Sequence, residues 1–165
     1  MKIKEMLPTM VTMGNIMCGF FAILCISSQR LEIAAWLIVA AMALDAFDGR
    51  LARMMKSTSM IGAQLDSMAD LVTFGIAPAM LMIKTCTNFP VVFLWSVGLF
   101  FMICAALRLA RFNVQKDESV NMPRHFFTGL PTTLSGGTIA QLVILNHFVQ
   151  IRYGSNMVVM FLPFI

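Results

Sequence analysis

Long apolar runs, broken at short intervals by polar clusters, set the pattern of this chain. Residues 8–27 (PTMVTMGNIMCGFFAILCIS) and 31–47 (LEIAAWLIVAAMALDAF) are the clearest runs. Each is close to the roughly 20 residues a helix needs to cross about 30 Å of hydrocarbon. Three more follow at about 62–83, 90–112 and 130–149, separated by breaks rich in Ser, Thr, Asn, Pro and charge. A sixth starts near residue 155, and its MVVMFLPFI is too short to cross before Ile165, so a truncated last helix is expected. The pattern predicts an all-α integral membrane protein: one domain over residues 1–165, built as a bundle of about six transmembrane helices.

Composition agrees with the pattern. With 59% hydrophobic and 12% charged residues in 165, the chain has more apolar surface than a soluble domain of its size could bury. The leading MKIKEM runs into a span containing Thr12 and Asn15 and has no small-x-small cleavage site, so a retained helix is expected rather than a signal peptide. Placing the N-terminus inside puts Lys2, Lys4, Arg50, Arg53, Lys56, Arg108, Arg111, Lys116 and Arg124 on the cytoplasmic side. Only Arg30, Lys84 and Arg152 fall outside, a strong positive-inside bias. The net charge of +4 sits on these flanks and favours anionic headgroups; no basic, aromatic-studded soluble face supports nucleic-acid binding. Cys18, Cys25, Cys86 and Cys104 show no CxxC spacing and read as packing, like the 16 methionines. His147 reads as interfacial, and His125 falls in a basic loop within reach of a ligand.

What the bland membrane pattern does not explain is the stretch from Asp45 to Asp70, DAFDGRLARMMKSTSMIGAQLDSMAD. A carboxylate inside a span costs about 2.5–3.5 kcal/mol on insertion scales, and Asp45, Asp48, Asp66 and Asp70 lie in or beside apolar runs. Helical spacing puts Asp45 and Asp48 on one face of the second helix, and Asp66 and Asp70 on one face of the third. Gly49, Ala52 and Gly62 leave a ligand-sized gap beside the acids, with Arg53 at its mouth. All-carboxylate ligation suits a hard divalent cation, Mg²⁺, Mn²⁺ or Ca²⁺, and four acids suffice for two ions. A solvated acidic loop would account for the charges but not for the small residues among them. Ser57 or Ser59 is expected to cap the third helix.

The same stretch resembles the signature of the CDP-alcohol phosphotransferase family, D-x-x-D-G-x-x-A-R, eight residues, then G-x-x-x-D-x-x-x-D. Asp45, Asp48, Gly49, Ala52, Arg53, Gly62, Asp66 and Asp70 fill every fixed position. The resemblance implies a two-metal site at the cytoplasmic end of helices 2 and 3. Asp45 and Asp66 would bridge both ions, Asp48 would complete the first, and Asp70 would touch the second and accept the proton of the attacking hydroxyl. It also implies a CDP-diacylglycerol pocket formed by Gly49, Ala52, Arg53 and Ser59, joined by Thr9, Thr12 and Asn15 of the first span. Thr9 stands where the family usually carries Asn.

LRLARFN after the fourth span, F-x-G-L-P before the fifth, and SMADLVTFGIAPA after the last acids are similar to the serine-using branch of the family. That branch transfers a phosphatidyl group from CDP-diacylglycerol to L-serine and releases CMP. Arg108 or Arg111, with Asn113, would then hold the serine carboxylate; spacing alone leaves membrane anchoring by these arginines equally open. Gly129, Pro131, Gly136 and Gly137 suggest an unwound or kinked start to the fifth span, and family likeness implies a homodimer. Two alternatives are an acceptor such as glycerol phosphate or inositol phosphate, and a divalent-cation transporter. A transporter would need acids along a path, and the fourth and fifth spans carry none.

Overall fold

The computed structural model describes residues 3–55, 60–86, 89–118 and 132–153, and among them every regular element is helical. They are α1 (Ile3–Ser27), α2 (Leu31–Met55), α3 (Met60–Asp70), α4 (Ala77–Thr85), α5 (Val91–Glu118) and α6 (Thr132–Tyr153). A π-helical turn, Leu71–Ile76, joins α3 to α4. Asp70 (φ −61°, ψ −40°) and Ala77 (φ −61°, ψ −46°) on either side keep right-handed helical backbone, so α3, the turn and α4 form one rod. The described residues thus form five helical rods, lying over the five longer apolar runs of the sequence. Residues 155–165, expected to begin a sixth, lie outside the described residues, as do Ser57, Ser59, His125, Gly129 and Pro131.

Side-chain neighbours fix the directions of the rods. The α1–α2 connection closes with Gln29 at φ 60°, where Gln29 N donates to Ile26 O at 3.1 Å and Arg30 N to Cys25 O at 2.8 Å. This pair of bonds satisfies the last carbonyls of α1 in the Schellman manner and turns α2 back along α1, with Gly14 facing Leu44. Gly137 meets Met42 while His147 Nε2 lies 3.1 Å from Glu32 Oε2, so α6 runs antiparallel to α2. Gly19 meets Thr73 and Gly98 meets Ile83, which sets the α3–α4 rod parallel to α1 and antiparallel to α5. The core between them is made largely of small or compact side chains, Ala22, Ala34, Ala35, Ile38, Ala41, Ala77 and Ala140, all fully buried, with the larger Phe74 and Leu81, also fully buried, filling the remaining volume. Small residues let helix backbones approach closely where lipid removes the usual hydrophobic drive between helices.

Three helical segments among the described residues are long and apolar enough to cross a membrane: Met10–Ser27, Gln64–Thr85 and Val91–Val114. α5 turns Val92, Trp95, Leu99, Phe100 and Ile103 outward, a continuous apolar surface that suits lipid and not water. The chain is thus a multi-pass membrane protein. The expected spans 31–47 and about 130–149, on α2 and α6, are not among these three segments; α2 carries Glu32 near one end and Asp45 and Asp48 at the other. One expectation needs correction. Gly136 and Gly137 do not unwind the start of the fifth span: α6 is helical from Thr132, and both glycines are buried contact points. A Cβ on Gly136 would meet the Phe74 carbonyl oxygen at 2.6 Å, so the glycine serves close packing instead of a kink.

Candidate metal and active site

The directions of the rods bring the C-terminal half of α2, the turn around Asp70, the C-terminal part of α5 and the first turn of α6 to one end of the bundle. There Asp45 of α2 meets Asp66 and Asp70 of α3, with carboxylate oxygens of all three within 4.8 Å of one another and each residue half-buried. Unit charges about 4 Å apart repel by roughly 4 kcal/mol at an effective dielectric of ~20, a repulsion that a bound cation would relieve. Three clustered carboxylates in a half-buried setting fit a hard divalent ion, and no histidine or cysteine joins them among the described residues. Thr9, Asp48, Ala52 and Arg53 lie on the helical backbone of α1 and α2, but their side chains, like the whole of Ser59, fall outside the described set. Gly49 is exposed on α2, and a Cβ built there would meet nothing within 4 Å, leaving the backbone open to a ligand.

From the first span, Thr12 and Asn15 point inward and are buried. Asn15 Nδ2 donates to Asp70 Oδ1 at 3.3 Å, and Thr73 Oγ1, just past Asp70, donates to Asn15 O at 3.2 Å. Asn15 Oδ1 is buried with no hydrogen-bond partner among the described residues, a condition that costs about 1–3 kcal/mol.

α5 contributes a second tether. Asn113 Nδ2 donates to Ser67 Oγ at 2.9 Å, and that hydroxyl donates to Asn113 Oδ1 at 3.1 Å, tying α5 to the residue after Asp66. Arg108 is half-buried with Nη1 3.5 Å from Thr132 Oγ1 on α6, whereas Arg111 is exposed. The structure thus separates two arginines that spacing treated alike. Ser67, Thr73 and Thr132 were not singled out by the sequence. Ser67 and Thr73 flank two signature acids, and that adjacency is the signal that would have found them.

Over residues 5–164 the sequence matches the CDP-alcohol phosphatidyltransferase family. The chain belongs to this family. Its similarity to curated CDP-alcohol phosphatidyltransferases extends to several proteins named CDP-diacylglycerol–serine O-phosphatidyltransferase. With that of Mycobacterium bovis it shares 34% identity over 163 residues, covering 97% of this chain and 56% of the relative. With that of Bacillus subtilis it shares 37% over 131 residues, 79% of this chain and 71% of the relative. With that of Saccharomyces cerevisiae it shares 39% over 139 residues, 76% of this chain and 49% of the relative. The chain therefore spans between about half and seven-tenths of the length of these CDP-alcohol phosphatidyltransferases.

Proposed function

We propose that the chain is a CDP-diacylglycerol–serine O-phosphatidyltransferase of phospholipid biosynthesis, transferring a phosphatidyl group to L-serine and releasing CMP. The observation that carries the reading is the convergence of Asp45, Asp66 and Asp70, in a chain that matches the CDP-alcohol phosphatidyltransferase family and is similar to proteins named CDP-diacylglycerol–serine O-phosphatidyltransferase. Asp45, Asp48, Asp66 and Asp70 would hold two divalent ions, Mg²⁺ or Mn²⁺. Such ions, when bound, neutralise the diphosphate and stabilise its leaving oxygens. The remaining work falls to the chain. Arg53 pairs with the diphosphate, Thr9, Thr12, Ala52 and Ser59 line the nucleotide-lipid pocket, and the bare backbone at Gly49 lets the nucleotide lie close. Asp70 takes the serine hydroxyl proton as the hydroxyl oxygen bonds to the phosphorus attached to diacylglycerol. The bond from that phosphorus to the CMP oxygen breaks, and CMP carries away the electron pair.

The site is placed at the cytoplasmic face of the cell membrane, in a six-helix domain that pairs as a homodimer; the charge bias supports the orientation and family likeness the rest. Incubating the protein with CDP-diacylglycerol, Mn²⁺ or Mg²⁺ and a panel of alcohols tests the reading. CMP release that depends on serine is expected, and equal release with glycerol phosphate or inositol phosphate would move the chain to another acceptor.

Arg108 is the residue we assign to the serine carboxylate, because it faces α6 at the same end as the acids while Arg111 faces outward. Lysine keeps the charge but loses the planar fork that matches a carboxylate. Arg108→Lys is therefore expected to raise the serine KM by about tenfold or more and leave that for CDP-diacylglycerol nearly unchanged, a charge-assisted bond being worth about 1.5–3 kcal/mol. Arg111→Lys should change the serine KM less than about threefold. Kinetics with serine varied at saturating lipid separate the two.

A further inference from the structure

Asn15 of α1 reaches across 55 positions of sequence to Asp70. The residue is only 2% exposed, so a ligand in the pocket has little of it to touch. The amide nitrogen is turned to Asp70 Oδ1 and the backbone carbonyl accepts from Thr73 three residues further on. Gly19, one turn along α1, lets the Thr73 backbone pack directly on the helix; a Cβ there would lie 3.1 Å from Thr73 Cα. Two contacts and a close approach thus hold α1 and the Asp70 turn in one register, with the amide fixed between them.

We propose that Asn15 is a positioning residue for Asp70, a role distinct from the nucleotide contact that family likeness implied for it. The proposal rests on the reading of Asp70 as the proton acceptor. A carboxylate has two oxygens, and the Asn15 N–H holds Oδ1 on the α1 side, so that the carboxylate is turned in one orientation toward the acid cluster and the serine hydroxyl. A neutral donor suits this place. Lysine or arginine would orient the carboxylate equally well but would set a positive charge beside a cation site, whereas an amide adds none. The buried Oδ1 of Asn15, left without a partner among the described residues, is the cost of presenting the nitrogen to Asp70.

The test compares wild type, Asn15→Leu and Asn15→Ala as full chains in mixed micelles with CDP-diacylglycerol, serine and Mn²⁺. Leucine fills nearly the same volume without a donor; alanine serves where leucine is too bulky to fold. Both variants are expected to lose about 10²-fold in kcat, the scale of a misplaced catalytic group, with the KM for CDP-diacylglycerol within about threefold of wild type. A KM rise with kcat unchanged would return Asn15 to the nucleotide pocket and overturn the proposal, as would full turnover by either variant. The two readings fail differently: a wild type that releases no CMP with any alcohol removes the proposed function and this inference together, while an active wild type with active variants removes the inference alone.

Discussion

Asp70→Asn is expected to lower turnover by about 10²–10⁴-fold, the usual contribution of a general base, with the KM for CDP-diacylglycerol little changed. An amide keeps one oxygen toward a metal but cannot take the serine proton. It also places a nitrogen opposite the Asn15 amide, so the 3.3 Å bond that orients this side chain survives only if the new amide turns its oxygen toward α1. Asp45→Asn should behave differently. Asp45 is the contribution of α2 to a cluster otherwise supplied by α3, so losing its charge should raise the Mn²⁺ concentration needed for half-maximal activity and leave turnover partly recoverable at high metal. Metal titrations of the two variants at saturating lipid and serine distinguish the roles. Near-normal turnover in Asp70→Asn would sink the assignment of Asp70 as base.

The acids were legible because helical spacing is a local property. Residues 45 and 48, and 66 and 70, share a face wherever the chain is helical, and α2 and α3 are helical there. The rods themselves were legible for the same reason, since each is a continuous apolar run. What escaped the sequence depends on partners far along the chain or on backbone detail. Asn15 finds Asp70 across 55 positions and Ser67 finds Asn113 across 46, and no spacing rule links such pairs. The π-helical turn after Asp70, against which α1, α5 and α6 pack, carries no signal in LVTFGI. Gln29 closes α1 in a left-handed conformation where Gly or Asn is the usual signal. Gly136 was visible as a glycine but read as flexibility, when the decisive fact is the backbone it touches.

That contact leads to the second large effect. Gly136→Ala is expected to destabilise the protein by about 1–3 kcal/mol, the range for overpacking a filled site, because the added Cβ would meet Phe74 O at 2.6 Å and Phe74 Cα at 2.9 Å. Both are backbone atoms of the turn that follows Asp70, so neither can swing aside as a side-chain tip would. α6 must move off the turn, and it carries with it Thr132, the partner of Arg108. Thermal midpoint and serine KM should therefore worsen together. Gly49→Ala provides the opposite case. A Cβ there meets nothing within 4 Å, and alanine in a helix interior gains about 0.5–1 kcal/mol over glycine, so the midpoint should hold or rise. The same methyl would stand where the nucleotide is proposed to approach the backbone, and the KM for CDP-diacylglycerol should climb. Thermal unfolding in detergent, paired with kinetics on both substrates, reads the two glycines apart: one defined by a neighbouring backbone, the other by the space kept for a ligand. A stable, fully active Gly136→Ala would mean that α6 can shift without disturbing the Asp70 turn, and would break the link drawn here between that packing contact and the serine side of the site.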